Sequence, residues 1–347
     1  MRRRMVARFD KLLLACGTTA LLWSCASPPE FTLRPKGDVA WPGPGRIPRI
    51  QLEMAYRGTM DVIRHPGFFG SIIPFVFGER GETFVSPYGL CLNEKVLWVA
   101  DPGRSALHRL DLEDGEHRVL AAPEKHAFVT PISVVALPDR RIWVSDSTTG
   151  WISEFDDSGK WLRAFGGHAE LERPTGMHVD ASLDRALIVD TTACKIAVYD
   201  LEGNLQERFG ERGSELGQFN YPTHVAISSL GTILVVDSLN FRVQAFTPDF
   251  EALGSFGVVG RGPGNFASPK GIAVDSQDHV YVVDSLFENV QIFDLTGQLL
   301  LAFCAHGREL GDCTLPTGIF IDDQDRIYLS DTGNSRIQIF RFHGGKE

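Results

Sequence analysis

The sequence predicts an all-β fold built from six copies of one four-stranded unit, the architecture of a β-propeller. Two markers recur along the 347 residues at nearly constant spacing, a proline that opens an apolar run and an aspartate that closes the next run. The six prolines are Pro87, Pro131, Pro174, Pro222, Pro269 and Pro316. The six aspartates are Asp101, Asp146, Asp190, Asp237, Asp284 and Asp331. Four strands in a repeat of about 40–50 residues match a propeller blade, so six markers of each kind indicate six blades.

Each repeat unit contains four short runs with the composition of β-strands. The first run follows the proline, the second ends at the aspartate, and the third is typified by FRVQAF at residues 241–246. The fourth run ends in Phe-Gly at Phe165-Gly166, Phe209-Gly210 and Phe256-Gly257, with Phe303-Cys304 as the variant. Turn residues separate the runs, and 35 glycines with 19 prolines leave little room for helices.

The sixth unit has only three runs before the chain ends, so it needs a fourth strand from elsewhere. An open propeller would leave an unpaired strand edge, which is prone to aggregate. We expect residues 49–56 to supply the outer strand of the sixth blade, with Leu52 and Tyr56 at the positions of Leu205 and Phe209. Residues 72–77 are the alternative. The predicted propeller therefore spans 49–342, and 343–347 form a tail.

Residues 1–24 have the pattern of a secretion signal, in which basic residues precede a mainly apolar stretch too short to span a bilayer. The segment ends in LWSC at residues 22–25 and resembles a bacterial lipoprotein signal. The resemblance implies lipidation of Cys25 after cleavage, and Ala26 implies sorting to the outer membrane, facing the periplasm. An ordinary signal peptide with an incidental cysteine is the alternative. Residues 25–48 hold six prolines and predict a semi-rigid tether.

The repeat itself resembles the NHL repeat over about residues 84–342. The closest copies are PKGIAVDSQDHVYVVDSLFENVQIFD, starting at Pro269, and PTGIFIDDQDRIYLSDTGNSRIQIF, starting at Pro316. The resemblance implies a six-bladed β-propeller but leaves the activity open, because this family includes scaffolds, nucleic-acid binders and enzymes. The peptide-amidating lyases, an enzyme branch similar to this fold, carry zinc-binding histidines just after the marker proline. Here those positions hold Tyr88, Ile132, Thr175, Thr223, Lys270 and Thr317.

The charge of the chain argues against binding to nucleic acid. Its 34 Lys and Arg against 44 Asp and Glu give a formal charge of −10 at pH 7. Removal of residues 1–24 takes away five basic residues and one acidic residue, which leaves −14. A nucleic-acid binder needs a basic footprint for the phosphates.

The cysteines indicate one candidate disulfide. Cys304 replaces the glycine of a Phe-Gly pair, and Cys313 takes the position that Phe266 holds one repeat earlier. Both lie in one predicted connection between blades of an exported protein, so we expect either a Cys304–Cys313 disulfide or two buried thiols. Cys91 and Cys194 fall in strand-like runs of different blades and are expected to be free.

The six repeated aspartates are expected to be structural, because a reaction rarely needs six equivalent carboxylates. Serine or threonine follows the aspartate in five blades, which is typical of turns held by side-chain-to-backbone bonds. A basic residue five positions after the aspartate predicts an ion pair that braces the turn. The expected pairs are Asp237–Arg242, Asp331–Arg336 and Asp190–Lys195.

Positions where the repeat is broken are the candidates for specific contacts. The loops before the first strands and those after the aspartates meet at one end of the channel, where mixed aromatic and charged residues suit recognition. The candidate binding face comprises Tyr88, Arg104, Trp151, Thr223, His224, Lys270, Phe287 and Glu288. The alternative is ordinary surface, and His224 is more typical of a polar channel liner than of a metal ligand.

These features favour a membrane-anchored envelope lipoprotein whose monomeric propeller is a non-enzymatic scaffold for another envelope protein. No HExxH, GxSxG or CxxCH motif occurs, and no cofactor is predicted. The alternative is a metal-dependent periplasmic hydrolase or lyase with calcium or zinc in the central channel. Ligands from separate blades would leave no linear motif, so the sequence does not exclude this activity.

Overall fold

A computed structural model describes residues 39–43, 49–58, 82–113 and 115–343. Within these ranges the strands form six antiparallel blades, which we number I to VI, and this confirms the predicted all-β propeller. A two-stranded parallel sheet, Glu211–Arg212 with Gln218–Phe219, lies in the connection between blades III and IV. The expected signal segment, Cys25, most of the expected tether, the alternative closing strand 72–77 and residues 344–347 of the expected tail lie outside the described residues.

Blades I to III follow one another along the chain, each with its strands in order from the channel outward. Blade I comprises Leu90–Asn93, Val96–Asp101, Ala106–Asp111 and His117–Leu120. Blade II comprises Pro131–Ala136, Ile142–Asp146, Trp151–Phe155 and Trp161–Gly166. Blade III comprises Pro174–Asp180, Arg185–Asp190, Lys195–Asp200 and Leu205–Phe209.

Blades IV to VI complete the ring. Blade IV comprises Pro222–Ile227, Ile233–Asp237, Arg242–Phe246 and Ala252–Phe256. Blade V comprises Pro269–Val274, Val280–Asp284, Asn289–Phe293 and Leu299–Phe303. Blade VI comprises Pro316–Ile321, Arg326–Asp331, Arg336–Phe342, Ile50–Tyr56 and the short strand Ala40–Trp41. The helical elements among the described residues are 3₁₀ turns at Glu124–His126, Ser238–Asn240 and Thr332–Asn334.

The strand Ile50–Tyr56 closes blade VI, as the sequence predicts. It pairs antiparallel with the third strand of the blade, and its register includes a one-residue irregularity that blade III also shows. Leu52 and Tyr56 therefore occupy the positions of Leu205 and Phe209. Chain closure thus joins the start of the described domain to its end, so no four-stranded blade is left incomplete.

A short strand upstream, Ala40–Trp41, pairs with Ile50–Tyr56 and widens blade VI to five strands. The Trp41 ring lies 5.9 Å from the Phe303 ring and 5.8 Å from the Phe340 ring. This strand falls inside the segment 25–48, whose proline content predicts a tether. The apolar contacts of Trp41 explain why part of that segment packs on the propeller.

Successive blades are joined by six buried apolar clusters, one at each interface. The first strand of each blade contacts that of the next, and blade VI contacts blade I, which closes the ring. Hydroxyls also link the blades. Thr191 donates to the carbonyl of Pro222, Ser238 to that of Pro269, Ser285 to that of Pro316 and Thr332 to that of Pro87.

The six marker aspartates are buried, and their carboxylates hold the loop that enters their own blade. In every blade a carboxylate oxygen accepts a hydrogen bond from one or two backbone amides just before the marker proline, at 2.7–3.2 Å. The donors are Val85 and Ser86, Val129 and Thr130, Glu172 and Arg173, Asn220, Ala267 and Ser268, and Thr314. This supports the structural interpretation of the aspartates.

The predicted ion pairs form where the basic residue is arginine. Arg336 Nε donates to Asp331 at 2.6 Å, and Arg242 Nε donates to Asp237 at 2.9 Å. Each guanidinium also donates to carbonyls of the preceding inter-blade loop. The exposed Lys195 forms no ion pair within the described residues, so that part of the prediction is wrong. A lysine lacks the planar fork that bonds a carboxylate and loop carbonyls together.

The Phe-Gly motif has a steric cause that also explains its cysteine variant. Gly257 has a φ of +90°, and a Cβ there would lie 2.3 Å from the Phe266 ring. After blade V, Cys304 has a φ of +63°, and the smaller Cys313 replaces the phenylalanine. The structure joins Cys304 and Cys313 in a disulfide with a Cα–Cα distance of 5.7 Å. The free cysteines of the described residues are Cys91 and Cys194, both buried.

Replacing Arg336 by methionine should strongly destabilise the fold. The Arg336 side chain is fully buried, and its loss would leave the buried Asp331 carboxylate without its charged partner. We expect the free energy of unfolding in urea to fall by about 3–5 kcal/mol. The matched control is Lys195→Met, at the same repeat position but exposed, with an expected change below about 0.5 kcal/mol. Equal effects of the two substitutions would contradict this account of the brace.

Candidate functional site

The antiparallel blades place the turns after the six aspartates and the connections between blades at one end of the propeller. We call this end the Asp face. All eight residues of the predicted binding face lie on it, but the structure does not bring them together into one site. They divide among the channel mouth, a groove between blades IV and V, and separate local contacts.

The rings of Tyr88 and His224 meet across the channel. Their centroids are 6.1 Å apart and the ring planes differ by 13°, which is a stacked arrangement. Tyr88 begins blade I and His224 begins blade IV, and these blades stand opposite each other in a ring of six. The other residues two positions after the marker proline are glycine or serine. Among the six blades His224 is therefore the one large side chain at this repeat position, and with Tyr88 it narrows the Asp-face end of the channel.

Behind this pair lies a cavity of about 240 Å³, lined by the first strands of all six blades. Its wall is mainly aliphatic. The aliphatic residues are Leu90, Leu92, Val134, Val135, Ala136, Val179, Val225, Ala226, Ile227, Ile272, Ala273, Val274, Ile319 and Ile321. Ser133, His178 and His224 add polar side chains. The pocket suits a small, largely apolar molecule.

Two cations stand at the channel mouth, which we define as Tyr88, Arg173, Tyr221, His224 and Lys270. Arg173 Nη1 donates to the Tyr221 hydroxyl at 2.5 Å, and its guanidinium carbon lies 5.4 Å from the Tyr221 ring centroid. The backbone carbonyl of Lys270 accepts a bond from Thr223 at 3.0 Å, so Thr223 fixes the start of the neighbouring blade. No carboxylate of the described residues forms an ion pair with Arg173 or Lys270 within 4.0 Å.

The electrostatics of the mouth reflect this crowding of positive charge. Burial lowers the pKa of Lys270, the Arg173 charge lowers it further, and Asp284 acts in the opposite direction. Burial and the Lys270 charge lower the pKa of His224 to about 4, so its imidazole is neutral at pH 7. Burial raises the pKa of Tyr88 to about 12. The His224 Nδ1 atom is buried without a hydrogen-bond partner.

Phe287 lies in a second concavity, a groove of about 1060 Å³ between blades IV and V. We call it the IV–V groove. Its lining includes Phe241, Val259, Pro263, Phe266, Leu286 and Leu299, and Arg261 is its charged member. The glycine-rich stretch 260–266 forms part of this wall and lies in the connection between blades IV and V.

Exposed large apolar side chains concentrate on the Asp face. Of the thirteen among the described residues, eight lie in its loops: Val85, Val129, Leu216, Leu239, Val258, Val259, Leu286 and Leu315. The outer strands carry Leu162, Leu253 and Leu300, and the opposite face carries Leu183 and Leu230. The uneven distribution distinguishes the Asp face from the rest of the surface.

The remaining predicted residues engage local partners. Arg104 pairs with Glu82 at 2.6 Å, and Glu288 contacts His306 and accepts a bond from the Leu315 amide. Trp151 packs edge-on against the His126 ring at 4.8 Å. These contacts orient the side chains on the Asp face without joining them to the channel mouth.

Arg173 and Tyr221 of the channel mouth are not among the residues predicted from the sequence. Both precede a marker proline, in blades III and IV, and corresponding residues elsewhere are Ser86, Thr130, Ser268 and Leu315. That variability is the signal that would have found them. The prediction considered only positions after the proline, whereas the loop residue before it faces the same end of the channel.

The described residues show neither a candidate metal cluster nor a candidate membrane-spanning helix. No group of three or more His, Cys, Asp or Glu side chains converges in a way that could hold a metal ion. No described helix has the length and apolar character needed to cross a membrane.

Comparison with known proteins supports the fold. The NHL repeat model matches residues 219–246, 266–293 and 314–340, which lie in blades IV, V and VI. The chain contains NHL repeats. No curated protein matches the chain in sequence.

Solved structures with the same architecture have diverse roles. Virginiamycin B lyase from Staphylococcus aureus is similar with a TM-score of 0.57 and 13% identity, over 75% of this chain and 96% of that one. Regucalcin from Agrobacterium tumefaciens, a calcium-binding protein, is similar with a TM-score of 0.57 and 14% identity, over 74% and 90%. A chain of a nidogen/laminin complex gives a TM-score of 0.51 and 18% identity, over 64% and 83%. At these identities the likeness shows the fold alone.

Burial of histidines makes the stability of the fold depend on pH. The pKa of His178 is lowered from 6.5 to about 4, chiefly by burial, and those of His224 and His117 are lowered as well. The unfolded chain therefore binds more protons between pH 6.5 and 4. Stability from these groups is complete above pH 6.5 and is lost as the pH falls through that window.

The substitution His178→Gln should remove part of this dependence. When the pH is lowered from 7.5 to 4.5, the free energy of unfolding in urea should fall by roughly 2 kcal/mol less in the variant than in the wild type. His168→Gln, which changes an exposed histidine, is the control. Identical losses in wild type and His178→Gln would show that His178 does not cause the effect.

Proposed function

We propose that this protein is a lipid-anchored protein of the bacterial envelope whose Asp face recognises a partner protein. The observation that carries the proposal is the concentration of exposed apolar side chains on that face, two of which, Val259 and Leu286, line the IV–V groove. Large apolar surfaces on soluble domains commonly mark interaction sites. The loops that carry them are held by buried carboxylates, so the surface is formed before a partner binds.

The IV–V groove is the expected centre of this interface. Phe287 is half-buried in it, while Leu286 is 66% exposed and Val259 is 65% exposed at its edge. An apolar pocket edged by exposed aliphatic groups accepts the aromatic or aliphatic anchor of a partner. Arg261, the charged lining residue, suits a carboxylate beside that anchor. The proposed occupant is an apolar segment with a neighbouring acidic residue from an envelope protein.

The anchor and tether proposed from the sequence suit this role. Acylation at Cys25 would hold the domain at the membrane, and several acyl chains on one residue bind stably where a single chain binds marginally. Ala26 after the cysteine favours the outer membrane. The proline-rich segment would separate the propeller from the membrane, with residues 39–43 packed on blade VI.

Charge placed at the groove should abolish the proposed interaction. A photo-crosslinking amino acid at position 259 of the full chain in cells should give one recurrent crosslinked envelope protein. Leu286→Glu should reduce that crosslink at least tenfold, because a carboxylate cannot be buried in the apolar interface. The matched control is Leu230→Glu, which charges a leucine that is 75% exposed on the opposite face. Loss of the crosslink in both variants, or in neither, would contradict a partner site at the groove.

Lipidation is tested separately by metabolic labelling with a radioactive fatty acid. The wild-type protein should be labelled and sediment with outer membranes, whereas Cys25→Ala should be unlabelled. Cys16→Ala, which changes a cysteine inside the expected signal segment, should keep both the label and the membrane association. Labelling of Cys25→Ala would refute acylation at this residue.

A further inference from the structure

The channel mouth has the chemistry of an anion site, and this goes beyond the proposed function. Arg173 and Lys270 both bring positive charge there, and among the described residues neither forms an ion pair with a carboxylate. The nearby Asp284 carboxylate accepts bonds from four backbone amides, those of Ala267, Ser268, Leu286 and Phe287. Its oxygens are thus already used to hold loops. Because no carboxylate is in ion-pair contact with either cation, their mutual repulsion raises the free energy of the empty site, and an anion between them would lower it.

The cation at Arg173 is held in place. Its guanidinium donates to the Tyr221 hydroxyl and lies over the Tyr221 ring, so little side-chain entropy is lost when a ligand binds. Lys270 is half-buried beside the start of blade IV, where Thr223 bonds its backbone carbonyl. Arg173 is exposed, so its contribution depends on this pre-positioning, whereas Lys270 is partly withdrawn from water. A pre-positioned cation binds an anionic group more strongly than a freely rotating lysine does.

The mouth also presents surfaces for an apolar body. The Tyr88 and His224 rings stack across the axis, and the aliphatic cavity lies directly behind them. The His224 Nδ1 atom is buried beside this pair without a hydrogen-bond partner. An apolar cavity of about 150 Å³ holds benzene, so 240 Å³ admits a ligand body of about ten non-hydrogen atoms.

We propose that the channel mouth binds a small organic anion, with its carboxylate or phosphate group between Arg173 and Lys270 and its apolar body against the Tyr88–His224 pair and in the cavity. Tyr88, His224 and the cavity wall select the apolar body, while the two cations select the charge. This proposed anion site does not depend on whether a protein partner binds the IV–V groove, because the two sites consist of different residues.

Calorimetric titration of the purified full-length protein tests this with three probes of similar size. Cinnamate carries a carboxylate, phenyl phosphate carries a phosphate, and cinnamyl alcohol is neutral. At least one anion should bind one site per chain at least tenfold more tightly than the alcohol, and the tighter anion identifies the preferred headgroup. Lys270→Met and Arg173→Met should each lower the affinity for that anion about tenfold or more. Lys195→Met, which removes an exposed cation on the same face, should leave the affinity unchanged.

A second readout uses only the wild-type protein and so does not depend on variant folding. Saturating anion should protect Lys270 from acylation by acetic anhydride, measured by mass spectrometry, and should leave the reactivity of Lys195 unchanged. The proposal is overturned if neither anion binds, if the alcohol binds as tightly as the anions, or if bound anion leaves Lys270 fully reactive.

Discussion

The geometry of the Asp face depends on the buried carboxylate at the end of the second strand of each blade. A carboxylate removed from water must be compensated by donors. In all six blades backbone amides of the loop before the marker proline supply those donors, so compensation of the charge also fixes the loop. Because the bonds are made by backbone, the loop side chains are free to differ. Ser86, Arg173 and Leu315 therefore occupy the same place in three blades with three different chemistries.

The side-chain partners of the carboxylate differ from blade to blade, and this variation shows which of its contacts are needed to hold the loop. Blades IV and VI add an arginine, partly buried at Arg242 and fully buried at Arg336. Blade I has no basic residue at that position and places His108 Nε2 3.3 Å from Asp101. Burial raises the pKa of Asp101, but the His108 contact and the amides of the loop outweigh it and lower the pKa overall. The backbone amides are thus the constant element and the side-chain brace is exchangeable. Within one rigid frame, each blade can carry different surface residues at little cost in stability.

Periodicity explains which parts of the molecule could be predicted from the sequence. Blade number, strand order and the closing strand all follow from features that repeat, and the match of Leu52 and Tyr56 to blade III fixed even the register. The contact between Tyr88 and His224 joins opposite blades and leaves no local pattern. The packing of Trp41 on blade VI could not be predicted, because the proline content around it indicates a tether but not where the tryptophan of that tether packs. Sites built between blades are therefore visible only in three dimensions.

The two candidate sites on the Asp face rest on different forces, and the overall charge of the protein explains why this matters. With 44 acidic against 34 basic residues, the chain as a whole repels anions. Attraction at the channel mouth must then come from Arg173 and Lys270 at short range, and partial burial strengthens it at Lys270 more than at the exposed Arg173. The IV–V groove uses apolar contact, which the net charge hardly affects. An acidic propeller can in this way bind an anion on its axis while a neighbouring surface binds a protein. The first site depends on short-range attraction to two cations and the second on apolar contact, and the net negative charge has little effect on either.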